Sequence, residues 1–235
     1  MSAIRSPWLA VFAAVSVGHL VLITADVSPW DTVTKVMLMP LLAIWAYTQG
    51  APRLLIAALL LSTVGDFAMD FESLFLLGMA GFALAHVCYI SFFVSRGALD
   101  ALRKEPWIGV VYAVAAAMLV VYLWNQPSIA DLRIPIPFYA ALLATTAATS
   151  LALDTRAGIG AAMFIASDAL IALGVAELPQ PKPADLWIMV LYILGQLLLT
   201  TGILNKERTS LAAMAQVGPN GELVAQRTDC CPRLP

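Results

Sequence analysis

Charge is what this chain has least of. Lys, Arg, Asp and Glu make up 12% of its 235 residues, and the net charge is −2. That balance supplies no basic patch for a nucleic acid, and no nucleic-acid partner is expected. Cysteine is almost missing too. Three residues without a CxxC exclude a disulfide framework and a zinc-ligand spacing. Cys88 lies inside an apolar run and reads as a small packing residue. Cys230 and Cys231 lie in a polar tail, where lipidation of the pair is the one modification to consider. The two histidines do not form an HExxH, and there is no GxSxG, no P-loop and no GxGxxG opening a helix. Serine-esterase and zinc mechanisms therefore have no sequence support, and neither a metal nor a cofactor is expected.

What is abundant is apolar length. The chain is 61% hydrophobic with a mean hydropathy of +0.86. A bilayer core of roughly 30 Å needs about 20 apolar residues per helix. Eight runs qualify: 8–24, 33–49, 53–70, 74–95, 106–124, 135–153, 158–177 and 184–204. They are continuous and rich in Leu and Ala, which excludes the alternation of barrel strands. Gly, Pro and polar residues punctuate the short joints, so neighbouring helices are expected to run antiparallel. The expected fold is an all-α membrane protein, a single bundle of about eight transmembrane helices over residues 1–204. A polar cytoplasmic tail, 205–235, is expected to be disordered. Trp8, Trp30, Trp107, Trp124 and Trp187 fall at run ends, the place of an interfacial aromatic belt. Arg5, Arg53, Arg96, Arg103, Lys104, Arg156, Lys206 and Arg208 fall on the side of the amino terminus, against Arg133 and Lys182 on the other. Positive residues stay inside, so the expectation is a multi-pass protein of the cell membrane with both termini cytoplasmic.

Against that background the intramembrane polar residues stand out. A carboxylate at a helix centre costs about 3 kcal/mol or more, and two such residues, Asp66 and Asp168, interrupt the third and seventh runs. Each sits roughly 15–20 Å along a helix running outward, at about 1.5 Å per residue, so their depths are comparable. Facing one another they would share a proton, one acid neutral and its partner ionised, which is a general acid/base pair. The plainer alternative is an inter-helix hydrogen bond that holds the bundle together. Lys35 starts the second run near the outer boundary. It either snorkels to the headgroups or supplies a cation for a lipid phosphate or an aspartate. Gly78, Phe82, Ala85 and Tyr89 share a stripe with His86 beside it, while Tyr192 and Gln196 form an i, i+4 pair. Tyr139, Thr146, Thr149 and Ser150 share a face of the sixth run, where hydroxyls usually bond to backbone. His19, close to a helix end, and Asp70 suggest no role. Gly158, Gly160, Ala161 and Ala162 should let the seventh helix approach a neighbour closely.

Five segments in order, TKVMLMPLL, LLLSTVGDF, FLLGMAGFALAHVCYI, AAMFIASDALIAL and IMVLYILGQLLL, resemble the YhhN-like integral membrane family, whose animal members are lysoplasmalogenases. The resemblance covers roughly residues 33–204. It implies hydrolysis of the vinyl ether bond of a lysoplasmalogen to a fatty aldehyde and a glycerophospho-alcohol. It also implies a lysophospholipid substrate drawn from membrane lipids. Asp66 and Asp168 would be catalytic, and Lys35, His86, Tyr89, Tyr139, Tyr192 and Gln196 would bind substrate. Enol ethers hydrolyse through protonation on carbon, which suits a buried acid pair within one polar, water-accessible cavity. The competing reading is a proton-coupled carrier, since intramembrane acids also mark ion paths.

Overall fold

The computed structural model describes residues 6–216. All regular structure among them is helical. Nine α-helices follow in order: α1 (Pro7–Thr24), α2 (Trp30–Thr48), α3 (Arg53–Met69), α4 (Phe75–Ser95), α5 (Ala98–Lys104), α6 (Pro106–Trp124), α7 (Pro135–Leu151), α8 (Thr155–Val175) and α9 (Ala184–Gln216). Short 3-10 segments join α3 to α4 and α6 to α7, the second kinked at Ile129. Eight of these helices match the eight apolar runs. The starts are chemically marked. Proline opens α1, α6 and α7, where its missing N–H costs nothing, and the Asp154 side chain accepts from Ala157 N at 2.9 Å to cap α8.

Five helices are each long and apolar enough to cross a membrane: Pro7–Thr24, Glu72–Ser95, Pro106–Trp124, Thr155–Val175 and Ala184–Ala212. Apart from the short α5, the others are α2, which has polar residues in its first turns and holds Pro40 in its interior, and α3 and α7, which have 17 residues each. These three carry Lys35, Asp66 and Tyr139, and they lie in the same bundle as the apolar five. The chain is thus a multi-pass, all-α membrane protein. Its surface is that of one: Trp8, Trp30, Trp107, Trp124 and Trp187 are all exposed, alongside a coat of Val, Leu and Ile.

Consecutive helices pack from α1 to α4 and from α6 to α9, α4 packs on α7, and α1 closes on α9. The closest hairpins are α3–α4 and α8–α9, and glycine makes both possible. A Cβ on Gly160 would lie 2.5 Å from Leu199 N and 2.6 Å from Gly195 O, and one on Gly81 would lie 2.9 Å from Gly65 N. This is close backbone approach through small residues, the usual basis of packing inside a membrane.

Two boundaries differ from the apolar runs. The joint after α4 contains a short helix, α5, entered through Gly97 at φ +89° and carrying an Asp100–Arg103 ion pair. Hydropathy cannot show a helix this short and polar. The last helix continues past the run 184–204 to Gln216. Glu207 pairs with Arg96 at the end of α4, and Arg208 donates to Gln49 Oε1 at 2.8 Å, so polar contacts hold the extension. Residues 217–235, with Cys230 and Cys231, lie outside the described residues. Cys88 is partly buried and packs against the core.

Candidate active site

The intramembrane polar residues form three linked groups around one aromatic cluster. In the first, α3 and α9 present matching i, i+4 pairs. Tyr192 donates its hydroxyl to Asp66 Oδ2 at 2.8 Å, and one turn away Gln196 Nε2 donates to Ser62 Oγ at 3.1 Å. Tyr89 of α4 donates to Gln196 Oε1 at 2.7 Å. All five are buried, Asp66 at 3% exposure. The carboxylate and the amide thus sit in a hydrogen-bonded ladder, as polar groups without water must.

In the second group, His86 Nδ1 lies 3.0 Å from Thr146 Oγ1, joining α4 to α7, and its Nε2 is buried without a partner. In the third, Tyr139 of α7 donates to Asp168 Oδ2 of α8 at 2.5 Å. Phe82 and Phe164 fill the space between the groups. Tyr192 packs edge-on to both at 5.9 and 5.5 Å between ring centroids, and His86 packs on Phe164 at 4.7 Å and on Tyr139 at 6.1 Å. Every aromatic contact here is edge-to-face, the arrangement ring quadrupoles prefer.

A cavity of about 300 Å³ lies between α4, α6, α7 and α8. Its wall is apolar except for Asp168 and the hydroxyls of Tyr139 and Tyr112. It extends from the level of Phe82 and Ile165 to that of Phe75 and Val175, about half the length of α8. The expectation of one polar cavity lined by both aspartates is therefore not met. Asp168 and Tyr139 reach the wall, whereas Asp66, His86, Tyr89, Tyr192 and Gln196 do not line it. Phe82, itself in the wall, packs against Tyr192, so the Asp66 group lies behind that ring. The physical reason is room: Gly65 accepts the Phe82 ring where a Cβ would come within 2.6 Å of it.

Lys35 is not free. Its Nζ donates to Asp70 Oδ1 at 2.5 Å, and both side chains are 19% exposed. They line a second, polar cavity at that end of the bundle. Sequence reasoning missed Asp70 because its partner is on another helix, and it missed Ser62 because a serine inside a membrane helix normally bonds to its own backbone. Thr149 and Ser150 do so here. Among the described residues no group of three or more His, Cys, Asp or Glu is arranged to hold a metal ion.

Comparison with known proteins agrees with this arrangement of motifs. The YhhN family profile matches residues 30–203. Lysoplasmalogenase TMEM86B of Rattus norvegicus is 32% identical over 208 residues, 84% of each chain. The Homo sapiens protein of the same name is 31% identical over 156 residues, 66% of each chain. A lysoplasmalogenase of Mycobacterium tuberculosis is 34% identical over 135 residues, which is 52% of this chain and 49% of that protein. No solved structure matches.

Proposed function

Because the chain belongs to the YhhN family, we propose that it is a lysoplasmalogenase-like hydrolase that opens the vinyl ether of a membrane lysophospholipid by aspartate acid/base chemistry. The observation that carries the mechanism is the apolar cavity with a single carboxylate in its wall, Asp168, held by Tyr139. A fatty chain fits such a wall, and Asp168 is the one carboxylic acid in it.

Asp168 is the group that protonates the vinyl carbon remote from oxygen. The resulting oxocarbenium ion takes up water at the carbon bonded to oxygen. The Asp168 carboxylate left by the first step receives the proton that this water loses, with Asp66 behind the Phe82 ring rather than at the reacting carbons, and the hemiacetal collapses to a fatty aldehyde and the free hydroxyl of the glycerol. Tyr139 and Tyr192 orient the two carboxylates. Lys35 holds the phosphate, while His86, Tyr89 and Gln196 shape the wall behind the reacting carbons. The concentration of Lys and Arg at the end where α3 and α8 begin supports a cytoplasmic position for both termini.

The test is aldehyde release by purified protein from a lysoplasmalogen and from its saturated alkyl-ether analogue. Only the vinyl ether should react. Asp168→Asn should lower turnover at least about a hundredfold, the scale of lost general acid–base catalysis, and Asp66→Asn, which alters only the group behind Phe82, should lower it less. Lys35→Met should raise KM more than it lowers kcat. An active double Asn variant would end the mechanism. Ion-coupled flux in proteoliposomes without any aldehyde would favour a carrier.

A further inference from the structure

Water is the second reactant of the hydrolysis, and an apolar cavity gives it few places to stay. A water inside a protein needs about two to four polar partners. Among the described residues, the wall between α4, α6, α7 and α8 offers Asp168, Tyr139 and Tyr112. Tyr139 gives its proton to Asp168 Oδ2. Asp168 Oδ1 and the Tyr112 hydroxyl have no hydrogen-bond partner among the described residues, and both keep accessible surface, unlike the sealed Nε2 of His86. They are the free polar atoms of this wall. Tyr112 lies outside the five segments that carry the family resemblance, and no motif marks it.

The two atoms come from different walls at nearly the same depth. α6 packs on α7 rather than on α8, and α6 and α8 run in the same direction, each antiparallel to α7. Leu119 and Leu123 of α6 share one apolar cluster with Ala172 and Ala176 at the Val175 end of the cavity. Counted back from that cluster, Tyr112 comes 11 residues before Leu123, and Asp168 comes 8 residues before Ala176. Tyr112 is therefore rooted about 4–5 Å deeper than Asp168, at about 1.5 Å per residue, and both side chains lean toward the starts of their helices. A water bonded to two oxygens spans about 5.5 Å, so one water fits this offset. Its source adjoins. The polar cavity, lined by Asp26, Asp31, Asp70 and Asp185 as well as Lys35, shares Met69 and Phe75 with the apolar one.

We propose that Tyr112 holds the hydrolytic water against Asp168 Oδ1 and is a catalytic residue. The proposal rests on the vinyl-ether reading above. Because Oδ2 accepts from Tyr139, the acidic proton of Asp168 sits on Oδ1. It passes to the vinyl carbon remote from oxygen, where the C=C electron pair forms the new C–H bond and leaves a cation at the carbon bonded to oxygen. The water points its O–H bonds at Oδ1 and at the Tyr112 oxygen, so its lone pairs face that cation. One lone pair forms the C–O bond. The proton released goes to Oδ1, which restores the acid for the next turnover.

The test is a competition for the cation. Lysoplasmalogen is hydrolysed in buffer that contains methanol. Capture by water gives aldehyde, and capture by methanol gives a methyl acetal that stays on the lipid. The wild type should form less acetal per aldehyde than acid hydrolysis of the same lipid in the same mixture. Tyr112→Phe should raise that ratio about 2- to 10-fold, the scale of one hydrogen bond. Its kcat should fall by a similar factor, because an uncaptured cation returns its proton to Asp168, and KM should stay within about twofold. The hydroxyl has no partner in the bundle, so the variant loses no contact and its melting temperature should hold. An unmoved ratio in Tyr112→Phe overturns the proposal, with or without a lower melting temperature. So does a wild-type ratio equal to that of acid hydrolysis. A wild type that yields neither aldehyde nor acetal ends the vinyl-ether reading itself, and this proposal with it, so the two failures are read from different proteins.

Discussion

Tyr139 and Tyr192 perform the same task for different carboxylates. Each donates its hydroxyl to one oxygen of an aspartate, Asp168 or Asp66, across a helix–helix contact. Their exposure to the apolar cavity differs, and this predicts different outcomes of mutation. Tyr139→Phe should reduce kcat about 10- to 100-fold, the worth of a hydrogen bond to a charged group, with little change in melting temperature, because Tyr139 stands at a cavity wall. Tyr192→Phe leaves a fully enclosed carboxylate short of a donor, and should lower the melting temperature as well. Steady-state kinetics and thermal unfolding in detergent check both. At this scale the sequence was legible wherever cost announced it. Asp66, Asp168 and Lys35 are conspicuous in apolar runs because a charge at that depth is expensive. Asp70 lies at a helix end, where polar residues are ordinary, and only the crossing of α2 and α3 gives it meaning.

The helices themselves were legible through apolar length and the Gly, Pro and polar residues of the joints, because those signals are local. What was not local was invisible. Phe82 separates the two aspartates through its fit over Gly65, a contact between α3 and α4 that no spacing within either helix expresses. Likewise α9 extends past its apolar run because Arg96 and Gln49, far away in sequence, meet Glu207 and Arg208. The small residues of α8 did point to close approach, and the structure gives that approach a partner, α9. Gly160→Ala should therefore cost about 1–3 kcal/mol, the usual price of overpacking, since backbone on α9 blocks the new methyl. Gly109→Ala, with nothing within 4 Å of its Cβ position, should leave the melting temperature unchanged or slightly higher. Equal effects of the two would show that α8–α9 separate readily.

On the scale of the whole molecule, basic residues gather at one end of the bundle and the acidic cavity lies at the other. The orientation proposed above follows from this. Cysteine introduced at Arg133 should react with an impermeant maleimide in intact cells, and cysteine at Arg156 only after permeabilisation. The reverse pattern would invert the molecule and put the acidic cavity in the cytoplasm.

The placement of α6 has a kinetic consequence. This helix packs on α7 and the short α5, leaving its far side and most of its length to the surroundings, yet it forms one wall of the apolar cavity. A lipid reaching Asp168 beside such a wall arrives sideways from the bilayer, by diffusion in two dimensions. Its effective concentration is then a surface density. In vesicles, the rate of aldehyde release should follow the mole fraction of substrate among the lipids and stay constant when vesicles of fixed composition are diluted with buffer. A rate that tracks bulk concentration instead would mean that substrate enters from water through the acidic end.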